Sequence, residues 1–187
     1  MTELDPETVV LGLGGNVGGD AAILARFAAA VRALEAWSTA RASRVFRTAA
    51  LGPEQPDYLN AAVAVDVPEE LTASELIREV QGIERSLGRD RGAESRWGPR
   101  PIDLDVLLWG TRRITFRGPP ALEVPHPRLA ERAFALVPAI DVTGADLVHP
   151  VLKRTLGELR AAVADQRVDV TALHIDGAPP SPHLLDG

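Results

Sequence analysis

The sequence predicts a single domain that mixes β-strands with amphipathic α-helices. Apolar runs with period-two alternation recur along the chain, and stretches with apolar residues three and four apart lie between them. The 187 residues, 45% hydrophobic and 25% charged, fit one globular domain. We place this domain at residues 1–176 and expect the proline-containing tail at 177–187 to be mobile.

The first half of the chain is predicted to contain three strands and two helices. The glycines after the first strand match neither the dinucleotide fingerprint nor the P-loop, so we interpret them as a strand-to-helix turn. A capping box at Thr72 opens the second helix and Gly88 stops it. The predicted elements are strands at 9–14, 44–48 and 58–67 and helices at 21–36 and 73–87.

The second half is predicted to begin with a long polar loop at 89–101, a kind of segment that is more often functional than structural. A strand at 102–109, a helix at 128–137, a helix at 155–164 and a last strand at 168–173 follow. His149 has no chemical neighbours in sequence, and we interpret it as structural.

Composition excludes several classes of protein. The net charge of −6 and the isoelectric point near 5.2 argue against a nucleic-acid binder. The absence of cysteine excludes disulfides and thiolate sites. No apolar run is long enough to span a bilayer and no signal segment is present, so we expect a cytoplasmic protein. Lys153 is the single lysine, so a phosphate site here must use arginine.

Two aspartates lie one residue apart inside an apolar strand. Period-two alternation places Ile102, Leu104, Val106 and Leu108 on the core face, and Asp103 and Asp105 together on the other face. Adjacent carboxylates repel each other unless a cation lies between them, and a hard divalent cation prefers oxygen ligands. The pair therefore indicates a metal site, with an ordinary surface ion-pair network as the alternative.

Arginines surround this acid pair in the sequence. Arg89 and Arg91 precede it in the polar loop, and Arg100 lies three residues before Asp103. Because a metal ion and arginines both neutralise phosphate oxygens, the combination indicates a polyphosphate site.

Three further features of the sequence bear on a site, and two of them have both a functional and a structural interpretation. Tyr58 and Asn60 share a strand face and could stack on and hydrogen-bond a flat heterocycle, although the residues alone favour a half-exposed tyrosine at a strand start. Gln81 and Glu84 share a helix face. His126 could meet a phosphate at a helix N-terminus, or it is only a turn residue beside prolines.

Taken together, several motifs resemble one enzyme family closely. The family is 6-hydroxymethyl-7,8-dihydropterin pyrophosphokinase of folate biosynthesis, and the resemblance covers about residues 9–159. The motifs occur in the family's order: Phe46-Arg47-Thr48, Leu51-Gly52-Pro53, Gln55-Pro56-Asp57-Tyr58-Leu59-Asn60, Arg96-Trp97-Gly98-Pro99-Arg100 with Ile102-Asp103-Leu104-Asp105, and Val124-Pro125-His126-Pro127.

The resemblance implies an α+β fold, with a ferredoxin-like antiparallel sheet that has helices on both faces. It also implies magnesium-dependent transfer of pyrophosphate from ATP to the hydroxymethyl group of the pterin, which releases AMP. Two magnesium ions and ATP as co-substrate are expected. We expect a monomer that acts on these small molecules, with no nucleic-acid or membrane partner.

The resemblance also assigns roles to individual residues. It implies that Asp103 and Asp105 are the metal ligands and that Arg89 and Arg100 join them in catalysis. Tyr58 and Phe134 are expected to sandwich the pterin ring, and Asn60 to hydrogen-bond its edge. The complete implied sets are, for ATP, Gln81, Glu84, Arg91, Trp97, Arg100, Val106, His126 and Arg132, and, for the pterin, Thr48, Ala49, Leu51, Tyr58, Asn60, Trp97 and Phe134.

The chain departs from the family in places, and rival interpretations stay open. Gly15 stands where the family commonly has serine, and Ala121 and Glu123 stand where some members have arginine and threonine. One rival is a ferredoxin-like module that binds a metabolite without turnover. Another is an ordinary kinase, which would release ADP instead of AMP.

Overall fold

A computed structural model describes residues 2–50, 54–92 and 98–175 of the chain. The predictions for Leu51, Trp97 and the 177–187 tail lie outside these residues. The elements in chain order are β1 (Thr8–Gly15), α1 (Gly19–Leu34), β2 (Arg41–Ala42), β3 (Phe46–Thr48), β4 (Tyr58–Asp66), α2 (Ala73–Ser86), β5 (Asp103–Trp109), β6 (Ile114–Phe116), β7 (Leu122–Val124), a 3-10 turn (Leu129–Glu131), α3 (Ala133–Thr143), α4 (Leu156–Ala162) and β8 (Asp169–Val170).

The strands form one main antiparallel sheet in the order β5-β1-β4-β3-β8, and β2 also pairs with β4. β6 and β7 form a separate hairpin. The central strands β1 and β4 are almost entirely buried, because apolar side chains cover both of their faces. Side chains on both faces of these two strands are therefore packed inside the protein.

Helices cover both faces of the sheet and enclose two apolar cores. One core joins the sheet to α1 and α2 through residues such as Leu11, Phe27 and Val80. The other joins it to α3 and α4 through residues such as Val10 and Leu136. This arrangement confirms the predicted α+β, ferredoxin-like class with helices on both faces of an antiparallel sheet.

The predicted ends of α2 are confirmed. The Thr72 hydroxyl accepts a hydrogen bond from the Glu75 backbone N–H at 3.3 Å, and the Glu75 carboxylate accepts from the Thr72 N–H at 2.9 Å. Gly88 has a φ of +92°, a left-handed conformation that glycine adopts without steric cost. α2 therefore ends where the chain enters the polar loop.

The predicted face of Leu108 is wrong. The pairing of β5 with β1 shifts by one residue between Val10 and Leu11, so Leu11 is opposite Val106 and Val10 is opposite Leu108. This β-bulge skips Leu107 and reverses the alternation after it. Leu108 consequently packs on the α3 side, whereas Asp103 and Asp105, before the bulge, share one face as predicted.

Several other predicted boundaries differ from the structure. The helix predicted at 128–137 is a 3-10 turn followed by α3, because Arg132 is extended between them (φ −126°, ψ 102°). β3 begins at Phe46 and not at Arg44, whose backbone N–H and guanidinium both donate to Asp141. The β6–β7 hairpin was not predicted, since three-residue strands give no period-two signal.

Two further expectations concern residues away from the site. His149 is buried, and its Nδ1 accepts the backbone N–H groups of Val151 and Leu152 at 3.3 and 3.2 Å, which confirms its structural role. Within the described ranges, none of the helices has the length and apolar character needed to cross a membrane.

Candidate active site

A cavity of about 470 Å³ opens on one face of the sheet, between β1, β4, β5 and the start of α3. It brings the predicted metal pair and most of the predicted pterin residues into one space. The residues that line it are Gly12, Leu13, Gly14, Thr48, Ala49, Tyr58, Asn60, Ala61, Gly98, Arg100, Asp103, Asp105, Leu107, Arg128, Glu131, Arg132, Phe134 and Ala135.

Two glycines on the central strand β1 form the cavity floor. Gly14 pairs with Asp103 on one side and with Asn60 on the other. A Cβ atom at Gly14 would lie 3.6 Å from Asn60 Oδ1 and 3.9 Å from Asp103 Cβ, and one at Gly12 would lie 3.3 Å from Leu107. The absent side chains therefore leave open space between the acid pair and Asn60. The sequence analysis placed Gly12 and Gly14 in the first strand, as the structure does, but assigned them no role in a site.

The two aspartates have opposite electrostatic surroundings. Burial tends to raise the pKa of Asp103, but the positive charges and hydrogen bonds of Arg89 and Arg100 lower it below its ordinary value. Burial raises the pKa of Asp105 to about 6, and the negative charge of Asp103 adds to the rise. The charge of the Asp103 carboxylate is therefore already balanced by arginines, whereas a nearby cation would stabilise the ionised form of Asp105.

Glu84 and Arg89 form a buried support behind Asp103. Arg89 donates to both the Glu84 and the Asp103 carboxylates, and both partners in the Glu84–Arg89 pair are almost fully buried. Glu84 also accepts from the Leu104 backbone N–H at 2.8 Å and from Arg91 Nη2 at 2.6 Å. Glu84 thus fixes the start of β5, and with it the orientation of Asp103.

Arg89 and Arg100 were both expected to join the acid pair in catalysis, but the structure places them differently. Arg100 lines the cavity and donates to Asp103 from the open side. Arg89 is 4% exposed and lies behind Asp103, outside the set of described residues that line the cavity. Arg91 donates to Glu84 through Nε at 2.9 Å, also away from the cavity wall.

The predicted pterin residues gather at the other end of the cavity. Asn60 is 4% exposed, and its Nδ2 donates to the Thr48 hydroxyl at 2.9 Å. Tyr58 donates from its hydroxyl to the Gly98 carbonyl oxygen at 3.3 Å. Phe134, at the start of α3, lines the same cavity. Two aromatic rings and an oriented amide in one cavity suit a flat, polar heterocycle.

The turn before α3 adds charged side chains that sequence reasoning did not single out. Arg128 and Glu131 line the cavity beside the predicted Arg132. The Arg132 guanidinium lies 5.5 Å from the centre of the Phe134 ring, and burial lowers the pKa of Arg132. The backbone here is a 3-10 turn followed by an extended Arg132, and no sequence pattern indicated that geometry.

Besides Glu84 and Arg91, three more predicted ATP residues lie away from the cavity wall in the part of the chain that the structure describes: Gln81, Val106 and His126. Gln81 is half-buried on α2. The Val106 side chain packs in the core on the α1 and α2 side. His126 donates its backbone N–H to Leu107 at 2.9 Å and accepts the Arg128 N–H at Nδ1, and burial lowers its pKa.

The donor atoms of the acid pair fit magnesium. Among the described residues there is no group of three or more histidine, cysteine or acidic side chains placed to hold a metal ion. A cation at Asp103 and Asp105 would therefore take its other ligands from substrate oxygens and water. Magnesium is commonly held in this way, by one or two carboxylates together with phosphates.

Comparison with known proteins decides the family. The family model for 7,8-dihydro-6-hydroxymethylpterin-pyrophosphokinase (HPPK) matches residues 10–144. The chain belongs to the HPPK family. This confirms the resemblance found in the sequence and the enzyme class, a pyrophosphokinase. The match includes the cavity residues from Gly12 to Ala135.

Individual HPPK relatives match most of the chain. The chain is 35% identical to a 2-amino-4-hydroxy-6-hydroxymethyldihydropteridine pyrophosphokinase from Synechocystis over 164 residues, which are 88% of this chain and 77% of the relative. It is 41% identical to the protein of the same name from Methylorubrum extorquens over 139 residues, 74% of this chain and 83% of the relative.

A solved structure supports the fold. The Plasmodium falciparum HPPK-DHPS structure with pteroate aligns with a TM-score of 0.64 at 14% identity and covers 84% of this chain. The present chain spans 44% of the length of that protein. At this identity the likeness concerns the fold alone.

Proposed function

We propose that this chain transfers the pyrophosphoryl group of ATP to the hydroxymethyl group of 6-hydroxymethyl-7,8-dihydropterin, in folate biosynthesis. The products are AMP and the pterin diphosphate. Family membership supports the reaction. The observation that carries the assignment of the site is that one cavity is lined by the acid pair of β5 on one side of β1 and by Tyr58 and Asn60 of β4 on the other.

Asp103 and Asp105 are proposed to hold two magnesium ions along the ATP triphosphate. Their shared strand face and the raised pKa of Asp105, about 6, support this role, because a cation relieves the repulsion between the carboxylates. When bound, magnesium neutralises charge on the phosphate oxygens and orients the triphosphate. The protein's part is to present the two carboxylates side by side on β5.

Arginines are proposed to stabilise the negative charge that the transferred group carries. Arg100 and Arg132 line the cavity beside the acid pair, so both are placed to meet phosphate oxygens. Arg89 acts through Asp103, because it lies between that carboxylate and the buried Glu84. Phosphoryl transfer needs positioning and electrostatic stabilisation from the protein more than covalent chemistry. A site that consists of arginines and carboxylates fits that need.

The other end of the cavity is proposed to bind the pterin. Tyr58 and Phe134 would contact the two faces of the ring, and Asn60 would bond its polar edge. The hydrogen bond from Asn60 Nδ2 to Thr48 fixes which way the amide points. Asn60 Oδ1 then faces Gly14 on the floor, where a ligand can donate to it.

We also propose that the chain works as a monomer in the cytoplasm on small molecules and not on nucleic acid. The net charge of −6 supports the exclusion of nucleic acid. The monomeric state is tested by size-exclusion chromatography with light scattering.

Product analysis tests the proposal. The protein is incubated with ATP, magnesium and 6-hydroxymethyl-7,8-dihydropterin, and nucleotides are separated by chromatography. AMP formed in equal amount to the pterin diphosphate is the expected result. Stoichiometric ADP would indicate an ordinary kinase, and binding of the pterin without any nucleotide product would indicate a metabolite-binding module.

A further inference from the structure

Asn16 lies at the meeting point of two loops that shape the cavity. It directly follows β1 and is 2% exposed. The described residues of the first loop are 49–50 and 54–57, and the loop ends where Tyr58 begins β4. The described residues of the second loop are 87–92 and 98–102; they include Arg100, and the loop ends before Asp103. Neither the cavity wall nor the metal pair includes Asn16.

The hydrogen bonds of Asn16 form two sets, which we call its two arms. The first arm holds the backbone of Arg100. The Asn16 backbone N–H donates to the Arg100 carbonyl oxygen at 3.0 Å. The Asn16 side-chain oxygen Oδ1 accepts from the Arg100 backbone N–H at 2.8 Å. Both polar groups of the Arg100 peptide backbone are therefore bound to one residue, at the position from which the guanidinium reaches Asp103.

The other arm holds the loop before Tyr58. Asn16 Nδ2 donates to Gln55 Oε1 and to the Pro56 carbonyl oxygen, both at 3.0 Å. Pro56 lies two residues before Tyr58. The side-chain amide thus uses both of its N–H donors and its oxygen, so its orientation is fixed by three hydrogen bonds. A buried amide with these partners is costly to replace by a group that leaves them unpaired.

The same two loops meet a second time inside the cavity. The Tyr58 hydroxyl donates to the carbonyl oxygen of Gly98, which belongs to the second loop. Asn16 ties the loops at their base, and Tyr58 ties them at the pterin end. A displacement of either loop would therefore move the phosphate end and the pterin end of the cavity relative to each other.

We propose that Asn16 is a positioning residue that joins the two loops and holds Arg100 and Tyr58 in a fixed position relative to each other. The inference rests on the proposed function, in which these residues serve the two substrates. A misplacement of about 1 Å in a reacting pair can lower the rate on the order of 100-fold. The loss of Asn16 should therefore affect turnover and pterin binding, and not stability alone.

Three variants separate the two arms. Asn16→Ala removes every side-chain bond of Asn16. Asn16→Asp keeps an oxygen for the Arg100 N–H but has no N–H donor for Gln55. Gln55→Leu leaves Asn16 intact and removes one acceptor of the second arm. The control is Ser43→Ala, which removes a buried hydroxyl that bonds Arg44 and Ala62 and does not line the cavity.

Steady-state kinetics for both substrates, with melting temperatures, test the inference. In Asn16→Ala we expect kcat to fall by about 10- to 100-fold and the pterin KM to rise. In Asn16→Asp and Gln55→Leu we expect a several-fold rise in the pterin KM with a smaller loss of kcat. Ser43→Ala should lower the melting temperature and leave both constants unchanged.

If all folded variants keep kcat and the pterin KM within about twofold of the parent and change only in melting temperature, Asn16 has a structural role and the inference is wrong. Should Asn16→Ala fail to fold, Asn16→Asp and Gln55→Leu decide the question by the same criterion. Formation of AMP by the parent tests the proposed function separately, because the inference depends only on ratios of variant to parent.

Discussion

Gly14 and Asp103 occupy paired positions on β1 and β5, so the first acid of the metal pair lies beside a strand position that has no side chain. Asn60 pairs with Gly14 from the other side. The cavity between the acid pair and the pterin end therefore depends on the absence of a side chain at the centre of the sheet.

Substitution of Gly14 tests this relationship. A Cβ there meets Asn60 Oδ1 at 3.6 Å, an ordinary van der Waals distance, so Gly14→Ala should retain near-parent binding. Gly14→Val adds an isopropyl group over the floor and should weaken pterin binding by roughly 1–3 kcal/mol, if filling this space costs binding as much as overpacking costs the stability of a core. Isothermal titration calorimetry with the pterin measures both. Equal pterin affinity in Gly14→Val and the parent would show that the pterin does not occupy this floor.

Substitution of the two aspartates should affect protein stability differently but should lower turnover in both cases. Asp103→Asn and Asp105→Asn should each lower kcat on the order of 100-fold or more, as for the loss of a strong electrostatic stabiliser. Asp103→Asn also deprives buried Arg89 of a carboxylate, so its melting temperature should fall. Asp105→Asn removes a carboxylate that burial and Asp103 disfavour, so its melting temperature should hold or rise.

Kinetics and thermal melts of the two variants check this expectation. Near-parent turnover in both would show that the metal is held elsewhere. A larger loss of stability in Asp105→Asn than in Asp103→Asn would contradict the assignment of Asp103 as the arginine-paired carboxylate.

The aromatic rings of Tyr58 and Phe134 should contribute to the affinity for the pterin and not to the affinity for the nucleotide. Tyr58→Ala and Phe134→Ala should each weaken pterin binding by roughly 1–3 kcal/mol, through lost stacking and burial. The affinity for an ATP analogue with magnesium should change little. Tyr58→Phe is the matched control, since it keeps the ring and loses only the hydroxyl that bonds Gly98. A fall in nucleotide affinity with intact pterin affinity would reverse the proposed division of the cavity.

His149 should make stability depend on pH. Burial lowers its pKa below the ordinary 6.5, and its neutral Nδ1 accepts two backbone N–H groups. Because the unfolded chain binds this proton more readily, the contribution of neutral His149 is fully present above about pH 6.5 and is lost as the pH falls below it. The His149→Asn variant keeps an acceptor oxygen without a titrating group.

Urea unfolding at about pH 7.5 and about pH 5.5 gives the free energy of unfolding for both proteins. The drop between the two pH values should be larger in the parent than in His149→Asn, whatever the absolute stability of the variant. Equal drops would show that His149 titrates alike in the folded and unfolded states.

Much of this architecture was readable from the sequence because its signals are local. The capping box at Thr72, the stop at Gly88 and the shared face of Asp103 and Asp105 depend only on residues close in the chain. The bulge that reverses Leu108 depends on pairing with β1, which lies about 100 residues away and leaves no mark in the period of β5 itself.

In the site, too, features set by local sequence were predictable, and features set by contacts between distant segments were not. The acid pair follows from alternation along one strand, and the pterin residues followed from the resemblance to a family. The buried support of Arg89 by Glu84 and the link from Asn16 to Gln55 join segments that only the fold brings together. The floor at Gly14 likewise requires knowledge of the strands on both sides of β1.

The position of an isotopic label tests the central claim most directly. The protein is supplied with magnesium, the dihydropterin and ATP labelled with ³²P at the β-phosphorus, and the products are separated by chromatography. Pyrophosphoryl transfer predicts that the label moves to the pterin product and that the nucleotide product, AMP, is unlabelled. Label retained in ADP, with an unlabelled pterin monophosphate, would contradict the account.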